Sequence, residues 1–485
     1  MDKKKYVVAI DVGTSEVVIA IGSIAEEGTV NIETIVAEPC EGMKAGLVDN
    51  SQMVTDSLRR ARARAEQETG IVITDADVTI SGKFVRCAHY TDHVFVQDKE
   101  ACIAQHDVNA LRERMRSVKS ADGETIMDYY PVTYKGTSGV EMKNPVGCYS
   151  PQLSSTYNFI LCEHMAKDRL LRVFMGAGIK IRNLYAGAAV IAESVINSDE
   201  KEEGVAVVDI GSGVTDIAIY YGGVLRYLAT IPMGGAVVNS DIRAYAGTIP
   251  AKTVETLKRR YGSAMVELTP DEKIEIHSGS RAIKPIQRLN LATVIEARMS
   301  EIAEYVWAEI REAGFAKKLA AGIVLTGGGA ALDHIADLFQ KITSQDVRVA
   351  CAEMSIATES LDKVSSPNLT MAISLLLRGA KEGACPVREL QSPAPSPTST
   401  QTSIKNEPKQ VAPVPETTTP TQQPAVEPDE IQGNDDKWYD DEIKDDEDDD
   451  VTPKSRGIWG WFKDKLDGAF KPDEGFENGD EEEKW

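Results

Sequence analysis

An α/β protein with a duplicated core is what this sequence predicts, and three observations predict it. Between residues 1 and 385, short β-branched runs alternate with longer segments of helical period. One motif occurs twice, as Val7-Val-Ala-Ile-Asp11-Val-Gly13-Thr14-Ser15 and as Val205-Ala-Val-Val-Asp209-Ile-Gly211-Ser212-Gly213, with Asp11 and Asp209 198 residues apart. A third glycine loop, Thr326-Gly327-Gly328-Gly329, follows the apolar run Ile323-Val-Leu.

Each copy of the repeat is an apolar strand that ends in Asp, turns at Gly beside a hydroxyl residue, and returns as a second apolar strand. That pattern predicts a hairpin, unlike the strand-to-helix turn of a P-loop. Glycine lets backbone N–H groups approach a phosphate, and Thr14, Ser15 and Ser212 add hydroxyl donors. Asp11 and Asp209, one at each strand end and facing across a cleft, suit a Mg²⁺ ion held through its waters. A single Asp-x-Gly is more simply a hairpin turn; two copies after matching strands point to function. The Thr326–Gly329 loop precedes Ala331–Gln340, which has helical period, and its glycines leave room for a flat ring. Gly234-Gly235, after Ile231-Pro-Met, either lines the same cleft or makes an ordinary turn.

The 485 residues carry 53 Lys+Arg and 76 Asp+Glu, a formal charge of −23. From Pro386 to Trp485 there are 26 acids and 11 bases, which leaves 50 acids and 42 bases, or −8, for residues 1–385. A body so balanced has no domain-wide basic footprint, so nucleic acid is not the expected partner. The seven cysteines are scattered without a C-x-x-C pair and read as reduced core thiols. The apolar run after basic Met1–Lys5 ends at Asp11, too short for a signal peptide. No stretch of about 18 apolar residues is present, and a cytoplasmic protein is expected.

After Cys385 the composition turns to Ser, Pro, Thr and Gln (Gln391–Pro428) and then to an acidic block (Asp440–Asp450). Residues 386–456 therefore read as a disordered acidic linker, spanning roughly 45–50 Å as a flexible coil. At its end, residues 457–470 place Ile458, Trp459, Trp461, Phe462, Leu466 and Phe470 within one half of a helical wheel. Lys454–Lys471 holds five bases and two acids, a positive island in an acidic tail. Such a helix suits a membrane interface; docking on the body or in a partner groove are the alternatives. Residues 471–485 form an acidic tail.

Duplicated Asp-Gly hairpins with a Thr-Gly-Gly-Gly loop resemble the actin, hexokinase and Hsp70 ATPase superfamily, built on duplicated ribonuclease-H-type domains. Val78-Thr-Ile-Ser81-Gly82-Lys83, Lys143-Asn-Pro-Val-Gly147, Val254-Glu255-Thr-Leu-Lys258-Arg-Arg-Tyr-Gly262 and the tethered amphipathic helix narrow it. Together they resemble the FtsA family of bacterial cell-division proteins, over residues 6 to about 385 and the helix.

That resemblance implies an actin-like fold with an FtsA-type 1C subdomain. The implied layout is 1A at 1–83 and 164–203, 1C at 84–163, 2A at 204–246 and 312–385 with a return to 1A, and 2B at 247–311. It implies ATP and Mg²⁺ as cofactors and self-assembly into protofilaments. Filaments of FtsZ would be tethered to the cytoplasmic face of the plasma membrane at the septum, the FtsZ C-terminal peptide entering 2B; other division proteins are further possible partners. Carried over residue by residue, Gly13, Thr14, Ser15, Gly211, Ser212, Gly213 and Thr215 would bind phosphates, and Asp11 and Asp209 the metal. Gly234, Gly235, Glu255, Lys258, Gly327, Gly328 and Gly329 would face the adenosine, although Glu255 and Lys258 are as easily a solvated helical pair.

Three departures qualify the match. Tyr185-Ala-Gly-Ala-Ala-Val190 offers no polar residue to position water, so the expectation is at most a slow ATPase in a mainly structural protein. Cys148 stands where Met is expected, and an acidic extension follows the helix. A pilus-assembly protein like PilM, or a small-molecule kinase, would share the body plan; neither accounts for the tethered aromatic helix.

An interfacial helix buries its aromatics only partly, and flanking acids offset its bases. Vesicle co-sedimentation should therefore show a polymerisation-deficient variant binding about 100-fold or more weaker than the intact protein, because many tethered helices act together. Equal binding would refute this.

Overall fold

Strand β1 (Tyr6–Val12) runs antiparallel to β2 (Glu16–Ile24), which runs antiparallel to β3 (Val30–Pro39). Val7, Val8, Ala9 and Ile10 are all fully buried, which is why this strand is apolar without alternation. Helix α1 (Ser51–Thr69) starts where the Asn50 side chain accepts from the Gln52 and Met53 N–H groups and stops at left-handed Gly70. β4 (Asp75–Ile80) then joins β1 in parallel. The computed structural model of the chain describes residues 4–389 except 26–27, 248, 279–280 and 353–355. The linker beyond 389, the predicted membrane helix 457–470 and the acidic tail 471–485 lie outside the described residues.

Residues 85–163 form a separate layer of β5 (Val85–Phe95), α2 (Gln105–Arg116), β6 (Glu124–Lys135) and β7 (Gln152–Glu163). β7 pairs antiparallel with both other strands. Leu111 and Met115 of α2 fill a core with Leu153, Tyr157 and Phe159. The chain returns through α3 (His164–Ala177) to β8 (Lys180–Ala186), parallel to β4, which completes a sheet of order β8-β4-β1-β2-β3.

The second half repeats that sheet. β9 (Val205–Ile210), β10 (Thr215–Tyr221) and β11 (Val224–Ile231) form an antiparallel meander. Helices α4 (Gly235–Ala246), α5 (Ala251–Tyr261) and α6 (Arg288–Glu312) follow. β12 (Ile323–Thr326), α7 (Ile335–Thr343) and β13 (Val347–Val349) end the half, giving the order β11-β10-β9-β12-β13 with β12 and β13 parallel to β9. The two sheets therefore share one strand order and one set of strand senses, as the sequence repeat predicts. The fold is actin-like.

α8 (Thr370–Lys381) crosses back to pack on β1 and β2. Asp77 of β4 is fully buried and held by Arg182, whose Nε donates to Oδ1 at 2.8 Å. The same guanidinium donates to the carbonyls of Gly379 (3.0 Å) and Gly383 (2.6 Å), tying α8 to the sheet. A Cβ at Gly379 would lie 2.1 Å from Asp77 Oδ2, so only glycine admits this approach. Beyond α8, Cys385 extends the edge of β1 that β4 leaves unpaired: its N–H donates to Tyr6 O and its Sγ accepts from Val8 N–H. Of the seven cysteines, Cys40, Cys162 and Cys385 are buried, whereas Cys87, Cys102, Cys148 and Cys351 are half-buried, which corrects the expectation of seven core thiols.

Removing Arg182 leaves the Asp77 carboxylate buried without its countercharge. Arg182→Met should cost about 3–5 kcal/mol in urea unfolding, and adding Asp77→Asn should recover much of that loss.

Candidate nucleotide cleft

Both Asp-Gly motifs are hairpin turns, as read from the sequence. Gly13 N–H donates to Glu16 O at 3.0 Å and Gly211 N–H to Val214 O at 2.9 Å. Asp11 and Asp209 each sit next to the last residue of their strand, in register with Val18 and Asp216 respectively. The two turns meet: a Cβ at Gly213 would be 2.4 Å from Thr14 Oγ1. Behind the second turn, Gly235 N–H donates to Gly211 O and Ala236 N–H to Ser212 O, so the start of α4 is capped by hairpin carbonyls.

The cleft between the hairpins is open to solvent and has a cavity volume of about 90 Å³. Asp11, Gly13, Thr14, Asp209, Gly211, Ser212 and Gly213 line it, together with Thr79, Ser81 and Asp216. Thr79 Oγ1 donates to Asp11 Oδ1 at 2.6 Å, and Thr230 Oγ1 donates to Asp216 Oδ1. Burial pushes the Asp11 carboxyl up to about 6, with the Thr79 bond opposing and Glu16 and Asp216 adding. Burial, then Asp216 and Asp11, hold Asp209 well above the usual carboxylate range. Burial also raises Asp216, against hydrogen bonds from Thr230 and Ser81. Three acids so placed attract a cation. Among the described residues no three His, Cys, Asp or Glu side chains form a direct metal cage, so this donor set fits a hydrated Mg²⁺ better than a stripped ion.

Other expected residues stand apart from this cavity. The Thr215 hydroxyl is buried and donates to Met233 O at 2.9 Å, and Ser15 is exposed outside the cleft. Gly234 and Gly235 back the second hairpin: a Cβ at Gly234 would be 2.4 Å from Gly211 O. Lys258 of α5 donates to Gly235 O at 3.0 Å and pairs with Glu255 at 2.9 Å, so these two are not a free surface pair. Asn239 Nδ2 also donates to Glu255. Gly327 has φ +83°, and a Cβ there would lie 2.0 Å from Asp209 Oδ1, so this loop presses on the Asp209 carboxylate. Gly328 lies against Asn368, and Gly329 against Ile210. The expected helix after the loop starts only at Ile335, because Gly328–Ala331 winds as a 3₁₀ turn and His334 takes φ +60°.

Sequence reasoning passed over Thr79, Ser81 and Asp216. Asp216 lies three residues beyond the quoted repeat, directly after Thr215, and its cross-strand match with Asp209 was the available signal. Thr79 and Ser81 reach the site through the β1–β4 pairing, which joins residues far apart in the chain.

Two sheets of one order with facing Asp-Gly hairpins define an actin-like protein. In a solved PilM–PilN type IV pilus biogenesis complex, the matched chain superposes with TM-score 0.53 at 15% identity, over 77% of this chain and 98% of that one. This likeness is one of fold alone. The chain belongs to the FtsA family: a family model described as cell division protein FtsA matches residues 206–374. FtsA of Escherichia coli (strain K12) is 33% identical over 385 residues, covering 78% of this chain and 90% of that protein. FtsA of Pseudomonas aeruginosa is 30% identical over 381 residues, covering 78% and 90%.

An acid whose folded pKa exceeds its unfolded value destabilises the fold once pH rises through that higher value. Asp11→Asn should therefore stabilise the nucleotide-free protein by on the order of 2 kcal/mol at pH 7. The gain should shrink between pH 6 and pH 4 in thermal unfolding, as Asp11 itself becomes protonated.

Proposed function

We propose that this chain is an ATP-binding, filament-forming division protein that tethers FtsZ filaments to the cytoplasmic membrane at the septum. The observation that carries it is the pair of Asp-Gly hairpins meeting at Thr14 and Gly213 over three carboxylates, in a chain of the FtsA family.

Backbone N–H groups of Gly13, Thr14, Gly211, Ser212 and Gly213 would hold the phosphates, with the Thr14 and Ser212 hydroxyls as further donors. Ser15 and Thr215 would shape the turns. Asp11 and Asp209, helped by Asp216, would hold Mg²⁺ through its waters. The ion would supply charge neutralisation for the phosphates. Gly327, Gly328 and Gly329 with Glu255 and Lys258 would flank the adenosine, while Gly234 and Gly235 brace the second hairpin.

Subdomain 1C is proposed for 84–163 and 2B for 247–311, with 1A (1–83 and 164–203) and 2A (204–246 and 312–385) as the duplicated core. 2B would receive the FtsZ peptide. Thr79 and Ser81, the hydroxyls on the carboxylate side, are engaged by Asp11 and Asp216. With Asp11, Asp209 and Asp216 assigned to the ion, the cleft lining leaves no further carboxylate or histidine as a base, so turnover would be slow. The main task is structural. A small-molecule kinase would need polar groups for its acceptor, yet Met43, Val48, Ala166, Leu170 and Met371 line the cleft beside the hairpins.

No helix among the described residues is long and apolar enough to cross a membrane. Attachment is assigned instead to residues 457–470, whose aromatic face and positive island suit an interface.

Liposome co-sedimentation and electron microscopy with Mg·ATP, comparing the full chain with one truncated after Glu389, test the reading. Filaments from both proteins, with only the full chain on lipid, are expected. Soluble monomers from both, or equal pelleting of the truncated chain with lipid, would overturn it.

A further inference from the structure

The layer of residues 85–163 has two unlike faces. Tyr157 and Phe159 of β7 close the layer's own core with α2, and a strand's period of two sends Asn158 to the opposite face. Asn158 is in register with His89 of β5 and Tyr130 of β6, so a row of three polar side chains crosses the sheet. Against this face lies β11, the outer strand of the second sheet. Asn158 Nδ2 donates to Leu225 O at 3.3 Å and to the Tyr130 hydroxyl at 3.2 Å. His89 Nε2 donates to Arg226 O at 3.2 Å, and Cys87 Sγ accepts from Leu228 N–H at 3.4 Å. A bulge opposite Ile219 and Tyr220 turns Arg226 out of the ladder. Side chains of the layer thus cap these edge groups of β11 where another strand would otherwise pair.

The layer is carried by one half and bonded to the other. It branches from the first half after β4 and returns to it at α3, where Glu163 N–H donates to Phe84 O at 3.1 Å. β11 belongs to the half that holds Asp209. Lys143 of the layer pairs with Glu202, itself fixed to the β10–β11 turn because Gly222 N–H donates to its carbonyl at 2.9 Å. Between the halves the hairpins touch at Thr14 and Gly213, and the cavity of about 90 Å³ is well short of the roughly 300 Å³ or more of a small-molecule pocket. A nucleotide can enter only if the hairpins part. β11 then moves with β9 and β10, relative to the side chains that cap it.

We propose that this layer is a strap that holds the two halves closed, and that its Cys87, His89 and Asn158 bonds to β11 release before a nucleotide enters or leaves; this rests on the nucleotide reading of the cleft. The seam is built to open. Its hydrogen bonds are few and long, one of them goes to a thiol, and the fully buried Asn158 has no partner for its Oδ1 among the described residues. A half-paired buried amide adds little net stability to the closed arrangement. The layer's own core of Leu111, Met115 and Leu153 lies on the other face, so it stays intact when the seam parts. The position of the layer therefore follows the state of the cleft.

The test uses the full chain and Mg·ATP carrying a fluorescent N-methylanthraniloyl group, followed by stopped flow. Asn158→Ala should speed both binding and release by about three- to tenfold, the weight of one or two hydrogen bonds, with a smaller change in Kd. Thr91→Ala, at an exposed position of β5, should leave both rates unchanged. Alkylation by iodoacetamide without nucleotide, read by peptide mass spectrometry, gives a second measure. Cys87, half-buried in the seam, should react faster in Asn158→Ala, while buried Cys162 stays protected. If that variant does not fold, His89→Ala, at an exposed side chain, should change the same rates in the same direction. Unchanged nucleotide rates, or Cys162 reacting as fast as Cys87, would overturn the strap. Faster Cys87 alkylation in a protein that binds no nucleotide would leave a releasable seam between the halves and remove the nucleotide reading. Nucleotide binding at unchanged rates would do the reverse.

Discussion

Three carboxylates crowded at the meeting point of two sheets set the terms for this protein. Burial raises the carboxyls of Asp11, Asp209 and Asp216; Asp216 and Asp11 add to the rise of Asp209, and Glu16 and Asp216 to that of Asp11. Such an arrangement opposes folding by itself. It persists because each acid sits on a strand locked on both sides by sheet pairing, and because Thr79, Thr230 and Ser81 supply hydrogen bonds. The glycines follow from the same crowding: side chains at Gly213 and Gly327 would strike Thr14 and Asp209. A divalent cation bound there, as proposed, would relieve the repulsion, so the feature that costs stability would be the one that favours the ligand.

Duplication provides the frame, and insertion makes the halves different. Each sheet is a three-stranded antiparallel meander with two parallel strands added beside its first strand. In the first half the β5–β7 layer enters between β4 and β8; in the second, α4, α5 and α6 enter between β11 and β12. The β5–β7 layer reaches β11 through polar contacts: Asn158 Nδ2 donates to Leu225 O, and Cys87 Sγ accepts from Leu228 N–H. The return of α8 and Cys385 to β1 joins the end of the described chain to the strand that carries Asp11.

The repeat was legible because hairpin chemistry is local. An apolar run, an Asp, a Gly and a second apolar run need no distant partner to be read as strand, turn and strand. The orientation of Thr215 was not legible, since only the path of the chain after β11 brings the Met233 carbonyl to its hydroxyl. Nor was the late start of α7: the helical period of Ala331–Gln340 was real, but Gly328–Ala331 bends under contact with β9 and Asn368. Gly234 and Gly235 do not line the cleft; they pack behind the second hairpin, against Gly211 and Ser212.

By itself the sequence determined the fold class, the twofold repeat and the turn chemistry of the hairpins. Each of these is written in composition or in short-range period. Only the tertiary structure decided that Thr79, Ser81 and Asp216 join Asp11 and Asp209 and that Lys258 is spent on Glu255 and Gly235. The physical reason is that these distances depend on the pairing and packing of strands and helices far apart in the chain, which no local pattern encodes.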